Sequence, residues 1–224
     1  MSLILNIDTA IETASVCLAE GEKIIASTTN PTQKDHAAWL HHAIQNLLKE
    51  NSLTPKDLKA IAISEGPGSY TGLRVGMSAA KGLCYALHIP LIGISTLKMM
   101  AGAAAKETAD LLCPMIDARR AEVFTAVYDK NFDERLSPVN LVLSENSFAE
   151  LLNDHSILFF GNGSIKFSNL IHHSNAVFKK IAFSAENMVL FSFDRYLKGS
   201  FLNLAYSEPF YGKDFYSPSV NNVA

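Results

Sequence analysis

Gly66-Pro-Gly-Ser-Tyr-Thr-Gly-Leu-Arg-Val-Gly76 carries a strand end, a glycine turn and the first turns of a helix in one run. Upstream, Lys59-Ala-Ile-Ala-Ile-Ser64 is short, apolar and partly β-branched, the pattern of a buried strand. Downstream, residues 70–87 are apolar at helical spacing, and Ser69 or Thr71 stands where a cap is needed. Glycines ahead of a helix N-terminus let the backbone approach an anion, so phosphate binding is the first chemistry to test. The spacing fails the familiar versions. Gly72 is followed by Leu73 and Arg74 rather than the Lys-Ser or Lys-Thr pair of a Walker loop. Gly66, Gly68 and Gly72 carry one residue too many for the dinucleotide fingerprint. A ligand-binding turn and a tight structural turn between a central strand and its helix both remain open.

The helix is the more informative half. At about 100° per residue, Gly72, Val75, Gly76, Ala79, Leu83, Ala86 and Leu87 share a flank, with Leu73, Met77, Ala80 and Cys84 beside them. Only Arg74, Ser78, Lys81 and Tyr85 occupy the remaining side. That apolar arc is wider than the roughly 100° stripe that one sheet covers. Gly72, Gly76 and Gly82 each cost about 1 kcal/mol relative to alanine, which predicts close approach of another helix to the glycine flank. That helix would come from a second subunit, or the chain's own second half would supply the cover.

The 224 residues are 48% hydrophobic and 18% charged, enough for one large or two small cores. A net charge of -3 excludes a general attraction for nucleic acid, so any RNA contact needs a local patch or a partner. Cys17, Cys84 and Cys113 form no C-x-x-C and lie in apolar runs, as reduced core thiols do. The N-terminus has no basic n-region and reaches Asp8 too early for a signal peptide. No run is long enough to span a membrane, so a cytoplasmic location is expected.

Taken in order, Leu3 to Ile7, Thr13 to Ala19 and Lys23 to Ser27 read as three strands, with Gly21 offering a hairpin turn. Asp8-Thr-Ala-Ile-Glu-Thr13 puts an acid at a strand end before hydroxyl-bearing turn residues. It suits a phosphate or hydrated Mg²⁺, and equally side chains that satisfy their own turn. Asp35 can cap a helix to about Glu50 whose core stripe is Ala37, Leu40, Ile44, Leu47 and Leu48, with His36, Trp39 and Ala43 on an adjoining flank. His36 and His41 miss the H-x-x-x-H spacing of two metal ligands on one helical face. Pro90 to Ile94 is a further strand, followed by a helix capped at Ser95 or Thr96. A composition shift near Glu107 to Asp110 divides the chain into residues 1–108 and 109–224. Beyond it lie strands at Leu111 to Ile116, Glu122 to Tyr128, Val139 to Leu143 and Ile157 to Phe160, and helices at Asn146 to Leu152 and Ser184 to Leu197. The opposed charges of the turn Asp117-Ala-Arg-Arg120 suit a ligand or solvated pairs with one another, the turn Gly161-Asn-Gly163 lacks a basic phosphate clamp, and residues 207–224 read as a tail that packs in part. The pattern is α/β, a mixed sheet with helices on its faces.

At Ile7-Asp-Thr-Ala10, the GPGSYTGLRVG run at 66–76, Gly93-Ile-Ser-Thr96 and Ile116-Asp-Ala-Arg119, the chain resembles the TsaB (YeaZ) family, and more weakly at Glu208-Pro-Phe-Tyr211. The resemblance implies the actin/Hsp70/sugar-kinase-like (ASKHA) fold, two related lobes with the second reduced. It implies a noncatalytic partner in adding threonylcarbamoyl to the adenine beside the tRNA anticodon. The catalytic metal belongs to a relative, TsaD, and the ATPase TsaE joins the assembly. ATP and Mg²⁺ would then be used by the complex, with no cofactor bound tightly here, no catalytic residue and no metal, and tRNA would be met only through the complex. Family members pair through first-lobe helices, so His36, Trp39, Ala43, Gly72, Gly76, Ala79 and Leu83 are the expected interface, in a homodimer alone or a heterodimer with TsaD. Asp8, Thr9, Gly66, Gly68 and Ser69 are the candidates should nucleotide bind. The competing readings are a phosphotransferase of the same fold and, more weakly, an M22-like metallopeptidase homologue.

Overall fold

In the computed structural model, which describes residues 2–32 and 35–212, the apolar runs assemble into two five-stranded sheets. The first holds β1 (Leu3–Asp8), β2 (Ala14–Glu20), β3 (Lys23–Asn30), β4 (Ala60–Gly66) and β5 (Leu91–Ser95), in the order β3-β2-β1-β4-β5. The second holds β6 (Leu111–Asp117), β7 (Glu122–Tyr128), β8 (Glu134–Val142), β9 (Ile157–Phe160) and β10 (Ala176–Phe178), in the order β10-β9-β6-β7-β8. In each, the first three strands are antiparallel neighbours and the last two run parallel to the first. One topological unit therefore occurs twice, as an ASKHA fold requires.

The copies differ in their helices. Between strands three and four, and between four and five, the first lobe inserts α1 (His36–Glu50, 15 residues) and α2 (Tyr70–Leu87, 18 residues). The second inserts α4 (Ala149–Asp154, 6 residues) and α5 (Ser164–Ser168, 5 residues). Helices so short leave apolar sheet uncovered, and aromatic rings cover it. Phe148, Phe159 and Phe167 pack edge to face with centroids 4.9 to 5.4 Å apart, and Phe178 stacks on Phe159 at 5.3 Å.

The strands of the first sheet alternate between two cores, as a period of two demands. Leu5, Ile7, Leu18, Ile61 and Ile63 meet α1 and α2. Ile4, Cys17, Ala60 and Ala62 face α3 (Thr96–Ala103) and the second lobe, in a core shared with Leu112, Phe124 and Tyr128.

Three expectations change. β8 begins at Glu134 rather than Val139, and the short β10 carried no sequence signal. The division at 108/109 separates the sheets but not the chain after Ser184. The 3-10 turn Ala185–Met188, α6 (Val189–Leu197) and residues 200–211 return to the first sheet. Ala185 N–H donates to Ser15 Oγ at 2.8 Å, Leu202 N–H to Leu91 O at 2.8 Å and Phe210 N–H to Glu65 O at 2.7 Å. The cause is an uncovered sheet face, because α3 has only 8 residues to shield it. Thirdly, the buried stripe of α1 keeps Leu40, Ile44, Leu47 and Leu48 as expected but starts one residue early and takes in Ala43. His36 is buried and Ala37 exposed, and Asp35, at the cap position, makes no side-chain cap bond. His36 Nε2 instead meets Ile11 O at 3.3 Å and anchors the first turn.

After α6 the chain straps α2. Lys81 Nζ donates to Ala205 O and Ser207 O at 3.2 and 3.0 Å, and Arg74 Nε to Tyr211 Oη at 3.0 Å. The Arg74 guanidinium lies 4.0 Å from the Tyr70 ring centroid, and the Tyr70 and Tyr211 rings are 5.0 Å apart. Arg74→Ala removes the group that both tyrosines share, so chymotryptic cleavage at Phe210 and Tyr211 is expected to accelerate several-fold with the far-UV spectrum unchanged. An unchanged cleavage rate would show that the backbone bonds alone hold the strap. The expectation for residues 213–224 lies outside the described residues.

Candidate functional site

The glycine run and the β1–β2 connection form one joint. Ser69 N–H donates to Ala10 O at 2.6 Å, Thr9 Oγ1–H to Gly72 O at 2.7 Å, and Gly72 N–H to Ser69 Oγ at 3.3 Å, so Ser69 is the cap of α2. A Cβ at Gly68 would overlap Ala10 O, one at Gly72 would overlap Thr9 O, and one at Gly76 would overlap the Thr9 hydroxyl and Ile63. At Gly66, where φ is +120°, it would overlap Phe210 O. The five nucleotide candidates, Asp8, Thr9, Gly66, Gly68 and Ser69, thus do converge, and what surrounds them is protein. At Gly72 and Gly76 the flank of α2 is met neither by a second helix nor by the second lobe but by the strand end of its own lobe, while Ala79 and Leu83 further along it share a core with α1. Gly72 and Gly76 are closed to a partner for that reason. Ala43 and Ala79 are buried in the first-lobe core, and His36 points inward to Ile11. Of the interface candidates, Trp39 and Leu83 stay partly open.

Asp8 is fully buried at the centre of this joint. Its Oδ1 accepts from Ser64 Oγ at 2.5 Å and from Ala10 N–H at 3.0 Å, while Oδ2 has no partner. Burial pushes its carboxyl above the ordinary value of 3.8, and the bonds from Ser64 and Ala10 and the charge of His36 offset only part of that. A carboxyl whose pKa is raised by folding keeps its proton in the native state after the unfolded chain has lost it. Stability therefore falls as pH rises from about 4 until the buried group itself ionises. Asp8→Asn is expected to flatten that slope, leaving the variant relatively more stable at neutral pH, as read from urea midpoints across the range. A slope equal to that of the wild type would place the titrating group elsewhere.

The open space lies to one side of the joint. A cleft of about 910 Å³ between the lobes is lined by Ile11, Glu12, Ile116, Asn162, Lys180 and Phe183, among others. Asn162 bridges its mouth, donating to Glu12 Oε1 at 3.0 Å and accepting from Asp117 N–H at 2.8 Å. Glu12 and Lys180 carry no local signal of this role, because the segments that bring them together are 150 residues apart or more. Among the described residues no three His, Cys, Asp or Glu gather in a way that could hold a metal ion. All three cysteines are free and buried, and burial pushes each thiol up to about 12, with Glu186 adding to it at Cys17. No described helix is long and apolar enough to cross a membrane.

The remaining surface of note is the outer face of α2. Thr71, Arg74, Ser78, Gly82, Tyr85 and Ala86 are exposed along it, Tyr85 to 75%. A Cβ at Gly82 would meet nothing within 4 Å. Val75 and Leu83 border it, each packed onto the first-lobe core and incompletely covered. Sequence reasoning placed Tyr85 on the polar side and grouped Gly82 with the packed glycines. Its position at 100° steps, on the same side as Ser78 and Tyr85, was the signal that separated it from Gly72 and Gly76.

Residues 23–193 match the family model described as TsaD, tRNA N6-adenosine threonylcarbamoyltransferase. The tRNA threonylcarbamoyladenosine biosynthesis protein TsaB of Bacillus subtilis is 34% identical over 71% of this chain and 70% of its own. The protein of that name from Escherichia coli is 37% identical over 57% of this chain and 55% of its own, so the match spans little more than half of that relative. A crystal structure of an uncharacterised Pseudomonas aeruginosa protein with similarity to peptidase YEAZ superposes with a TM-score of 0.83, at 25% identity, covering 95% of this chain and all of that one. Doubled topology, a glycine joint between the Ile7–Ala10 and Gly66–Gly76 stretches and these matches agree: the chain belongs to the TsaB (YeaZ) family, with the ASKHA fold.

Proposed function

We propose that this chain is the noncatalytic partner subunit in N6-threonylcarbamoylation of the adenine beside the tRNA anticodon. It acts in the cytoplasm by binding a catalytic TsaD subunit, with a TsaE ATPase joining the assembly. The observation that carries the reading is the outer face of α2, a helix stripe with a bare glycine, a 75% exposed tyrosine and half-covered apolar neighbours. A large aromatic next to a notch is the geometry of an interface anchor. Alone, the same face pairs two copies of the chain; mixed with the cognate catalytic subunit, it exchanges the second copy for that partner. ATP and Mg²⁺ are then handled by the complex. In support, the residues a nucleotide would need at the strand end are already bonded to one another.

The test is size-exclusion chromatography with and without the cognate TsaD, followed by a modification assay with TsaE, ATP and tRNA. A shift from homodimer to heterodimer and strict dependence of modification on this chain are expected. A catalytic subunit that ignores the chain and modifies tRNA without it would end the reading. The interlobe cleft favours a second reading, a small-molecule phosphotransferase. Rapid MgATP hydrolysis by the chain alone would put that reading first, although Asp8, the acid at the strand end, does not line the cleft.

A further inference from the structure

The β6–β7 hairpin ends in a three-residue loop, closed by Ala118 N–H donating to Glu122 O and by Glu122 N–H donating to Arg119 O, both at 3.1 Å. Two consecutive residues of that loop, Arg119 and Arg120, have positive φ, +68° and +50°. Side chains with a Cβ rarely hold that conformation, and hairpin tips that need it favour asparagine and glycine. Strain of this kind persists where the residues serve something other than the turn. Both arginines are exposed. The surrounding acids are already engaged: Asp117 with Lys166 Nζ at 2.6 Å and with Arg119 N–H, Glu122 with Asn140 at 2.8 Å, and Glu12 with Asn162. Among the described residues neither guanidinium has a carboxylate within ion-pairing distance. Two guanidinium forks free of any direct ion pair thus project from one tip of a chain whose net charge is -3, with the Arg119 charge acting on Asp117 only at longer range.

We infer that the Arg119–Arg120 tip is a phosphate-contact site for RNA, holding tRNA backbone in the assembled complex. This rests on the reading of the chain as a subunit of a tRNA-modifying complex. The chemistry is a phosphate oxyanion received by planar forks with two parallel N–H groups each, the match at which arginine surpasses lysine. A free nucleotide offers the same chemistry and a partner's carboxylates a weaker form of it. The polyanion is favoured because an isolated, exposed tip has no pocket to enclose a small ligand, whereas a backbone supplies successive phosphates to adjacent forks. A chain with no general attraction for nucleic acid needs such a local patch.

The test uses the double variant Arg119→Asn, Arg120→Gly, which gives the turn the residues its dihedrals favour. Its melting temperature is expected to equal or exceed that of the wild type, so that lost binding is not lost folding. Binding of labelled tRNA is measured for the chain alone and for the complex with TsaD and TsaE, between about 50 and 200 mM salt. The double variant should weaken the complex's tRNA affinity about tenfold and lower its salt slope by about 1.5. Arg119→Lys, Arg120→Lys should fall between. Equal affinity and slope for wild type and variant, in complex and alone, overturns the inference, as does a variant that loses only ATP affinity or only association with TsaD. Association is read separately by size exclusion. Should the wild-type chain fail to bind TsaD, the partner reading falls, and the tRNA titration of the chain alone still decides the tip.

Discussion

The same substitution at two glycines of α2 is expected to change stability with opposite signs. Gly72→Ala places a methyl against Thr9 O, a backbone atom at the end of a central strand that cannot turn aside. Helix and strand must separate, straining the Ser69-to-Ala10 and Thr9-to-Gly72 bonds that close the joint. Overpacking of this kind costs about 3 kcal/mol, well above what alanine returns in helix propensity. Gly82→Ala adds its methyl to open space and only removes backbone freedom from the unfolded chain, for a gain of about 1 kcal/mol. Gly76→Ala should fall between, since its obstacles are the Thr9 hydroxyl and the tip of Ile63, which can rotate away at the expense of the hydroxyl's bond to Gly72 O. Urea unfolding of the three variants, at concentrations where the chain is monomeric, measures the order directly. Comparable destabilisation at Gly72 and Gly82 would mean that both flanks of the helix are packed within the monomer.

This ordering marks what the chain's pattern could convey. The width of the apolar arc of α2 was readable, as were the strand before it and its Ser69 cap, because each depends on residues within one turn or one strand. What covered the arc was not, since Thr9 lies 63 residues from Gly72 and the choice between strand end, second lobe and second chain turns on Thr9 O. Most strands of both sheets were legible, β6, β7 and β9 nearly to the residue, but not that they repeat one topology. Of the second lobe's crossover helices, α4 was expected some three residues early and the 5-residue α5 is too short for a 3.6-residue period to show, while the Phe148, Phe159, Phe167 cluster that covers the sheet beside them has no period. The return of α6 to the first sheet follows from uncovered area, a property of the assembled lobes. The positive φ values at Arg119 and Arg120 are invisible for the opposite reason, because local propensity argues against them.

Association is the property on which the outer face of α2 can be tested without touching the joint. Gly82→Arg fills a notch that nothing in the monomer occupies, with a residue that suits a helix as well as most. Tyr85→Ala removes a ring that is 75% exposed and so gives up little within the chain. Compared at concentrations where the wild type is itself monomeric, neither variant should melt more than slightly below it. Against a partner the expectation differs. A tyrosine anchor buried on association typically accounts for about 2 kcal/mol or more, some thirtyfold in Kd, and a guanidinium driven against a close-packed helix is costlier still because it is desolvated without a counter-ion. Gly82→Arg should therefore abolish both the homodimer and the complex with TsaD at micromolar concentrations, and Tyr85→Ala should weaken both about thirtyfold. Because the Arg119–Arg120 tip is on another element, either variant should leave the isolated chain's binding to tRNA as it was. If both variants assembled and supported modification like the wild type, the partner would have to be sought at another surface, with half-covered Trp39 on α1 the first place to look.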